Sequence, residues 1–391
     1  MEFLPKLKKY FKGDIAIWCI ILVLSFLSAL AVYSATRSLA WRSDKSNAHF
    51  LFKQFSSLGF GLFIIFVIHK IKYTNFVKWS KLLYVISLPL LVYTFFFGVS
   101  LNQGSRWIII PLIGLTIQTS DLAKLALFLY LSRELSIRQD TIKDLKKGFL
   151  PVLLPVLATC FCISWANMST ALLLGVTCCI LFFIGRIQVK HILMLAGVGL
   201  ALALTIFSVS KITGIGRGST WEKRINVFVN ADEADEDSKY QTEQAKIAIA
   251  NGGVFGVGPG NSYARDFLPH PYSDFIFAII IEEYGIVGGA TLIFVYILFL
   301  WRSILIFQRC PYAFGAFLSV ALSFTLVFQA MLNMAVNVNL VPVTGLTLPF
   351  VSMGGSSIIF TSISIGIILS VSRYVDEMEG SAKQIQEVVS Q

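Results

Sequence analysis

Apolar runs of about twenty residues, parted by short polar connections, repeat along this chain from one end to the other. Ten can be drawn, near 15–35, 52–69, 79–99, 118–136, 149–166, 168–186, 191–210, 274–300, 311–336 and 354–373. Each is long enough to cross a hydrocarbon core roughly 30 Å thick. Backbone polar groups must be paired at that depth, so all ten are predicted as helices. The fifth and sixth are separated only by "WANMS" (165–169) and predict a tight helical hairpin. The pattern describes an all-α polytopic membrane protein with about ten transmembrane helices and a large extracytoplasmic loop, 211–273, between helices 7 and 8.

Composition supports that reading. Of 391 residues, 56% are hydrophobic and 14% charged, and the mean hydropathy is +0.74, which excludes an ordinary soluble domain. The net charge of +10 comes from Lys and Arg clustered between apolar runs, a topology signal and not a nucleic-acid surface. Lys6, Lys8, Lys9 and Lys12, then Lys70, Lys72 and Lys78, then Arg133, Arg138, Lys143, Lys146 and Lys147 fall on one side. Arg186, Lys190, Arg302 and Arg309 continue it and predict both termini in the cytoplasm. The connection 36–53, with Arg37, Arg42, Lys45 and Lys53, runs against this scheme. The first apolar run is too long for a cleaved signal and lacks a cleavage site, so it is expected to remain as a span. The organisation expected is a basic cytoplasmic tail (1–14), a membrane domain (15–373) and a polar cytoplasmic tail (374–391) with a helical turn or two. Within the large loop, the acidic run "DEADED" (232–237) reads as a solvated tip. The six cysteines lie in or beside apolar runs without CxxC spacing, and the four histidines form no metal motif.

Four stretches carry candidate chemistry. In "PHPYSDFIFAIIIEEYG" (269–285), Asp274 stands where a polar loop becomes an apolar helix. It reads either as a helix N-cap or as a functional carboxylate at membrane depth. Glu282, about 12 Å deeper and roughly 80° round the helix, could share a cavity with Asp274, whereas Glu283 points away. In "IQTSDLAKLALFLYL" (117–131), Asp121 and Lys124 are spaced to pair on one helix face, as a bland ion pair or a substrate contact. Upstream, Arg106 beside Trp107 in "NQGSRWI" is either a snorkelling interface residue or part of a site. The glycine-rich "YQTEQAKIAIANGGVFGVGPGNS" (240–262) lacks the context of a nucleotide fingerprint. It predicts a tight external loop or re-entrant turn with amides free to meet an anion, preceded by Gln244 and Lys246 on a short amphipathic helix. Last, "LVPVTGLTLPFVSMGGSS" (340–357) is too punctuated by Pro and Gly to be one helix, and should present Ser352, Ser356 and Ser357 near the outer face.

Together these stretches resemble the SEDS family (shape, elongation, division and sporulation), the FtsW and RodA proteins of bacteria. The resemblance covers almost the whole chain, and "GVGPGNS" and "TGLTLPF" look closer to the FtsW branch. It implies a peptidoglycan glycosyltransferase of the bacterial cytoplasmic (inner) membrane that polymerises lipid II, working at the division septum. The implied partners are a class B penicillin-binding protein transpeptidase and other divisome membrane proteins. Asp274 matches the family's essential aspartate, Lys124 the lysine of its "QPSELAK" motif, and Arg106 the arginine of "RW". Arg224 and Gln244 match an arginine and a glutamine of the large loop. The chain departs at Thr119 and Asp121, at His270 and Tyr272 (where glutamate and histidine are common), at Asn167 and at Met353.

The chemistry implied is attack of a sugar 4-hydroxyl on the anomeric carbon of a lipid-linked chain, with Asp274 as general base. Arg106, Lys124, Arg224 or a divalent cation (Mg2+ or Mn2+) would meet the pyrophosphate charge. Asp121, Gln244, Lys246, Ser352, Ser356 and Ser357 complete the expected substrate contacts. Rival readings are a lipid II flippase, an elongation polymerase of RodA type, or a scaffold that only docks the transpeptidase.

Overall fold

The computed structural model describes residues 12–42, 44, 46–101, 104–109, 116–213, 218–229 and 236–389. Every apolar run becomes a helix. They are α1 (Ile15–Ala35), the short α2 (Arg37–Arg42), α3 (Asn47–Ile68) and α4 (Thr74–Phe97), then α5 (Thr119–Ile137), α6 (Leu150–Ser164), α7 (Met168–Ile184) and α8 (Val189–Thr213). In the large loop lie α9 (Gly218–Val229) and α10 (Glu236–Gly252), followed by α11 (Ile276–Arg309), α12 (Ala313–Asn337) and α13 (Gly355–Val389). Eight helices among the described residues are long and apolar enough to cross a membrane, α6 being counted together with the π-helical turn Leu145–Phe149 that leads into it. The two other predicted spans fall short for visible reasons: α7 has 17 residues, and α5 carries Asp121, Lys124, Arg133 and Glu134. The chain is a multi-pass membrane protein.

Two features differ from the expectation. The connection after α4 folds as a small antiparallel sheet of β1 (Val99–Leu101), β2 (Gly104–Ile109) and β3 (Thr116–Gln118). Its Ser, Trp, Ile and Thr suit paired extended backbone, and Trp107 pairs with Val99 on one side and Gln118 on the other. The polar C-terminal tail continues α13 without a break to Val389. Its amphipathic start is tied down by Lys12–Glu377 at 3.1 Å and Arg373–Glu377 at 3.9 Å. The acidic run and the basic amino tail lie largely outside the described residues.

α12 and α13 form the centre. α12 packs on α5, α7, α11 and α13, and α13 on α3, while α8 lies at the periphery with most of its surface open to lipid. α1 and α11 are fastened at both ends. Arg302 Nε and Nη2 grip Asp14 Oδ2 at 2.8 and 2.5 Å, and Ser34 Oγ donates to Glu283 at the opposite end. Between these rungs each helix rises about 30 Å, the thickness of a hydrocarbon core. Below Gly285 α11 exposes Ile286, Val287, Phe294 and Ile297; above it, Ile276 to Glu283 are buried on every side. The helix breaks at Gly285 (φ 70°, ψ −170°), where a Cβ would stand 2.1 Å from the Val254 carbonyl oxygen.

Candidate active site

Asp274 lies in a turn, 271–275, immediately before α11, about 12 Å above the Glu283 rung. Its backbone is pinned by three successive carbonyls. Met353 N donates to Tyr272 O at 2.9 Å, and Ser352 Oγ to Ser273 O at 2.6 Å. Asn333 and Asn337 of α12 both donate through Nδ2 to Asp274 O, at 2.9 and 3.0 Å. Asn333 also holds Leu346 O at 2.7 Å, and Asn337 Oδ1 accepts from Ala278 N at 3.0 Å, pairing an amide in the first turn of α11. With the main chain held this way, the carboxylate is left to work. It is partly exposed, not an N-cap for α11, whose N-cap position is Phe275.

Gly345 takes a left-handed φ of 69°, and a Cβ there would lie 3.7 Å from Asp274 Oδ2 and 3.6 Å from Arg224 Nη2. One glycine therefore marks where three distant segments meet: the turn before α11, the loop after α12, and α9. α9 is brought there by folding back on α8, through Gly218 N to Ser210 Oγ at 2.7 Å and Lys211–Glu222 at 2.6 Å. Burial pushes the Asp274 carboxyl above the ordinary carboxylate range, opposed by His270, a hydrogen bond from Ser273 and Arg224. Burial likewise lowers the Arg224 guanidinium, which the Asp274 charge opposes. Burial and the same charge push the Tyr272 phenol up. The arrangement is a carboxylate in a partly desolvated site facing an arginine, suited to accepting a proton beside a bound anion.

Lys124 forms a second centre. Its Nζ pairs with Asp121 Oδ1 at 2.8 Å, as the sequence spacing implied, and reaches Gln329 Oε1 at 3.4 Å. Gln329 in turn donates to Thr347 O at 3.0 Å. Asp121, Lys124, Gln329 and Ser357 line a cavity of about 40 Å³ between α5, α12 and α13. Gln329, Asn333 and Asn337 lie on one face of α12, one turn apart, so a single amide row links Lys124 to the Asp274 turn.

The FtsW/RodA/SpoVE family model, described as cell cycle protein, matches residues 14–377. The chain belongs to this family. It is 34% identical over 368 residues to stage V sporulation protein E of Bacillus subtilis, covering 92% of this chain and 97% of that protein. It is 30% identical over 372 residues to the probable peptidoglycan glycosyltransferase FtsW of Geobacter sulfurreducens, covering 93% and 96%. The fold matches a chain of a peptidoglycan synthase complex that coordinates polymerization and crosslinking, with TM-score 0.72, 24% identity and coverage of 93% and 98%. It also matches the rod shape determining protein RodA of Thermus thermophilus, with TM-score 0.67, 24% identity and the same coverage.

The remaining candidates of this family member fall in varied places. Gln244 is half-buried and Lys246 exposed on α10. The Arg106 side chain lies outside the described residues; its backbone is in β2. Ser352 spends its hydroxyl inside the protein, donating to Ser273 O and accepting from Leu348 N at 2.8 Å. Ser356 is buried, and Ser357 faces Thr347 Oγ1 at 3.3 Å. Of the two glutamates, Glu283 points away from Asp274 as the sequence implied, and Glu282 corrects the sequence reading. Glu282 does not share Asp274's cavity; it accepts from Ser262 Oγ, Tyr263 N (3.2 Å) and Ala264 N (3.2 Å). Glu283 takes Ser34 and the Gly260 and Ser262 amides, near Arg265, whose Nη1 donates to Ser34 Oγ at 3.1 Å. The anion that the glycine-rich amides meet is the protein's own pair of carboxylates. Asn333, Asn337 and Gln329 escaped the sequence reading, although three amides one turn apart in an apolar span were a visible signal.

Proposed function

We propose that this chain is a peptidoglycan glycosyltransferase that polymerises lipid II, with Asp274 as the general base. The observation that carries this is the pinned Asp274 turn opposite Arg224, with the carboxyl pushed above its usual range. In the reaction the acceptor's 4-hydroxyl oxygen forms a bond to the anomeric carbon of the donor while its proton passes to Asp274. The bond from that carbon to the pyrophosphate oxygen breaks, and undecaprenyl pyrophosphate leaves with the electron pair. A base whose pKa lies nearer the working pH than an ordinary carboxylate takes the proton more readily in the transition state. Arg224 stands where charge gathers on the leaving group, and its desolvation strengthens that attraction. Lys124 and Asp121 supply a second polar station within the bundle.

A height of about 12 Å above the hydrocarbon edge suits a sugar joined through pyrophosphate to a membrane-held lipid. An apolar cleft of about 600 Å³ between α6, α7 and α8, lined by residues such as Leu157, Phe161, Leu172, Phe183 and Leu200, has the character a polyprenyl chain requires. No group of three His, Cys, Asp or Glu stands together among the described residues to hold Mg2+ or Mn2+ by protein ligands alone. A cation would be held by one carboxylate and by pyrophosphate oxygens, as magnesium is at many phosphate sites. The steps above use only side chains. A septal role in the cytoplasmic membrane, beside a class B penicillin-binding protein, accords with the FtsW-like "GVGPGNS" and "TGLTLPF" and with the FtsW relatives.

The test is polymerisation of lipid II by purified Asp274→Asn with the partner transpeptidase. The expected result is at least about a hundredfold loss of glycan polymer from a folded protein. Undiminished polymer would sink the assignment.

A further inference from the structure

The glycine-rich turn 252–258 and the exposed apolar tip it carries serve no step of the reaction, yet they are built into the break in α11. The turn fills that break group by group. Val257 N donates to Glu282 O at 2.9 Å and Gly258 N to Glu283 O at 3.1 Å, capping carbonyls that the kink leaves without helical partners. In return Ile286 N donates to Gly253 O at 3.0 Å and Val287 N to Val254 O at 3.3 Å. Gly256 N closes the turn on Gly252 O at 2.7 Å. Such close approach needs bare backbone: at Gly256 (φ 84°) a Cβ would stand 2.1 Å from Glu283 O.

These bonds fix the depth of the turn. Val254 lies level with Val287, about 6 Å below the Glu283 rung and so within the span of α11 that faces lipid. Ile286 and Val287 are 59% and 50% exposed, and beside them Val254 and Phe255 are 56% and 82% exposed. The apolar surface is therefore continuous from α11 onto the turn. Non-helical backbone is tolerated at that depth only where its polar groups are paired within the protein, and here they are. Glu282 and Glu283, which would repel hydrocarbon, face inward onto Ser262, Ala264 and Ser34.

We propose that residues 253–257 form a re-entrant anchor whose Val254 and Phe255 side chains insert among the acyl chains of the leaflet on the Asp274 side. The anchor fixes α10, and the large loop with it, at a set height against the bilayer. Its occupant is lipid, because the tip continues a lipid-facing helix surface at the same depth.

The test uses the full-length chain, alone, with its six native cysteines replaced by alanine, in phosphatidylglycerol–phosphatidylethanolamine proteoliposomes, with Phe255→Cys, Val257→Cys and, as a loop control, Tyr240→Cys. A membrane-impermeant charged maleimide should label Phe255→Cys at least about tenfold more slowly than Tyr240→Cys, because a thiol in hydrocarbon stays un-ionised. A permeant fluorophore placed at Phe255→Cys should be quenched by lipid nitroxides near the top of the acyl chain and not by aqueous iodide. Val257→Cys, at the edge of the tip, gives the same reading should Phe255→Cys fold poorly. Rapid aqueous labelling at both positions overturns the proposal. So does aqueous labelling that the chain alone permits and an added transpeptidase suppresses, which would make the tip a protein-docking surface.

Discussion

At the scale of single residues, opposing forces around Asp274 set the state of the proposed general base. Burial raises its carboxyl, and His270, Ser273 and Arg224 pull it down without cancelling the rise. His270 occupies the place where glutamate is common in the family, and it pulls the Asp274 carboxyl down where a second carboxylate would push it up. For a general base, activity falls as pH drops through its pKa, so the acidic limb should lie above that of an ordinary aspartate. Arg224→Gln removes a charge that favours the ionised form and should move the limb of residual kcat to higher pH. A pH profile of lipid II polymerisation measures this, and an unmoved limb would separate Arg224 from the base. Stability carries the opposite sign. An aspartate whose folded pKa is raised contributes stability below its unfolded pKa and loses it as pH rises through the folded value. At neutral pH the charge is a cost, so the melting temperature of Asp274→Asn should hold or rise while activity disappears.

At the scale of elements, α11 shows how a helix can be cut and still keep its backbone paired. Gly285 interrupts it, and the turn 252–258 replaces the missing bonds from outside the helix. Gly285→Ala would be forced against Val254 O from a conformation that L residues rarely adopt, with backbone on both sides and nothing able to give. We expect this variant to lose the monodisperse peak on size-exclusion chromatography in detergent, whereas Gly175→Ala, with open space at its Cβ, keeps it. Equal behaviour of the two would refute the account. α12 plays a different part. Its row Gln329, Asn333 and Asn337 joins the Lys124 cavity to the Asp274 turn, so two centres far apart in the chain share one rigid face.

At the scale of the whole molecule, the two rungs between α1 and α11 set the membrane frame: Asp14–Arg302 at one end and Ser34–Glu283 at the other. Asp14 precedes α1, and Ser372 Oγ of α13 accepts from its amide at 3.0 Å, so α1 begins on the side of the bundle from which the end of α13 leaves it. The charge pattern implies that this side is the cytoplasm. Reporter fusions at Met1 and Gln391 should therefore both be fluorescent as cytoplasmic proteins and inactive as periplasmic alkaline phosphatase. Activity of the phosphatase at either end would invert the frame and with it the side on which Asp274 works.

Hydrophobic periodicity by itself determined the ten helices, because crossing a bilayer constrains length and polarity over each segment independently of its neighbours. It also showed Asp274 at a helix start and the Asp121–Lys124 pair, both local consequences of spacing. The sheet at 99–118 was hidden because a few short strands leave too weak a period beside long apolar runs. What Glu282 and Glu283 do could not follow from helical angles, since their partners come from α1 and from a loop some twenty residues earlier. Only the tertiary structure brought Arg224, Gly345 and Asp274 to one place, and only it set two asparagines on the Asp274 carbonyl. Segments choose their own secondary structure from local pattern; which side chains meet is settled by packing between segments, where sequence distance carries no information.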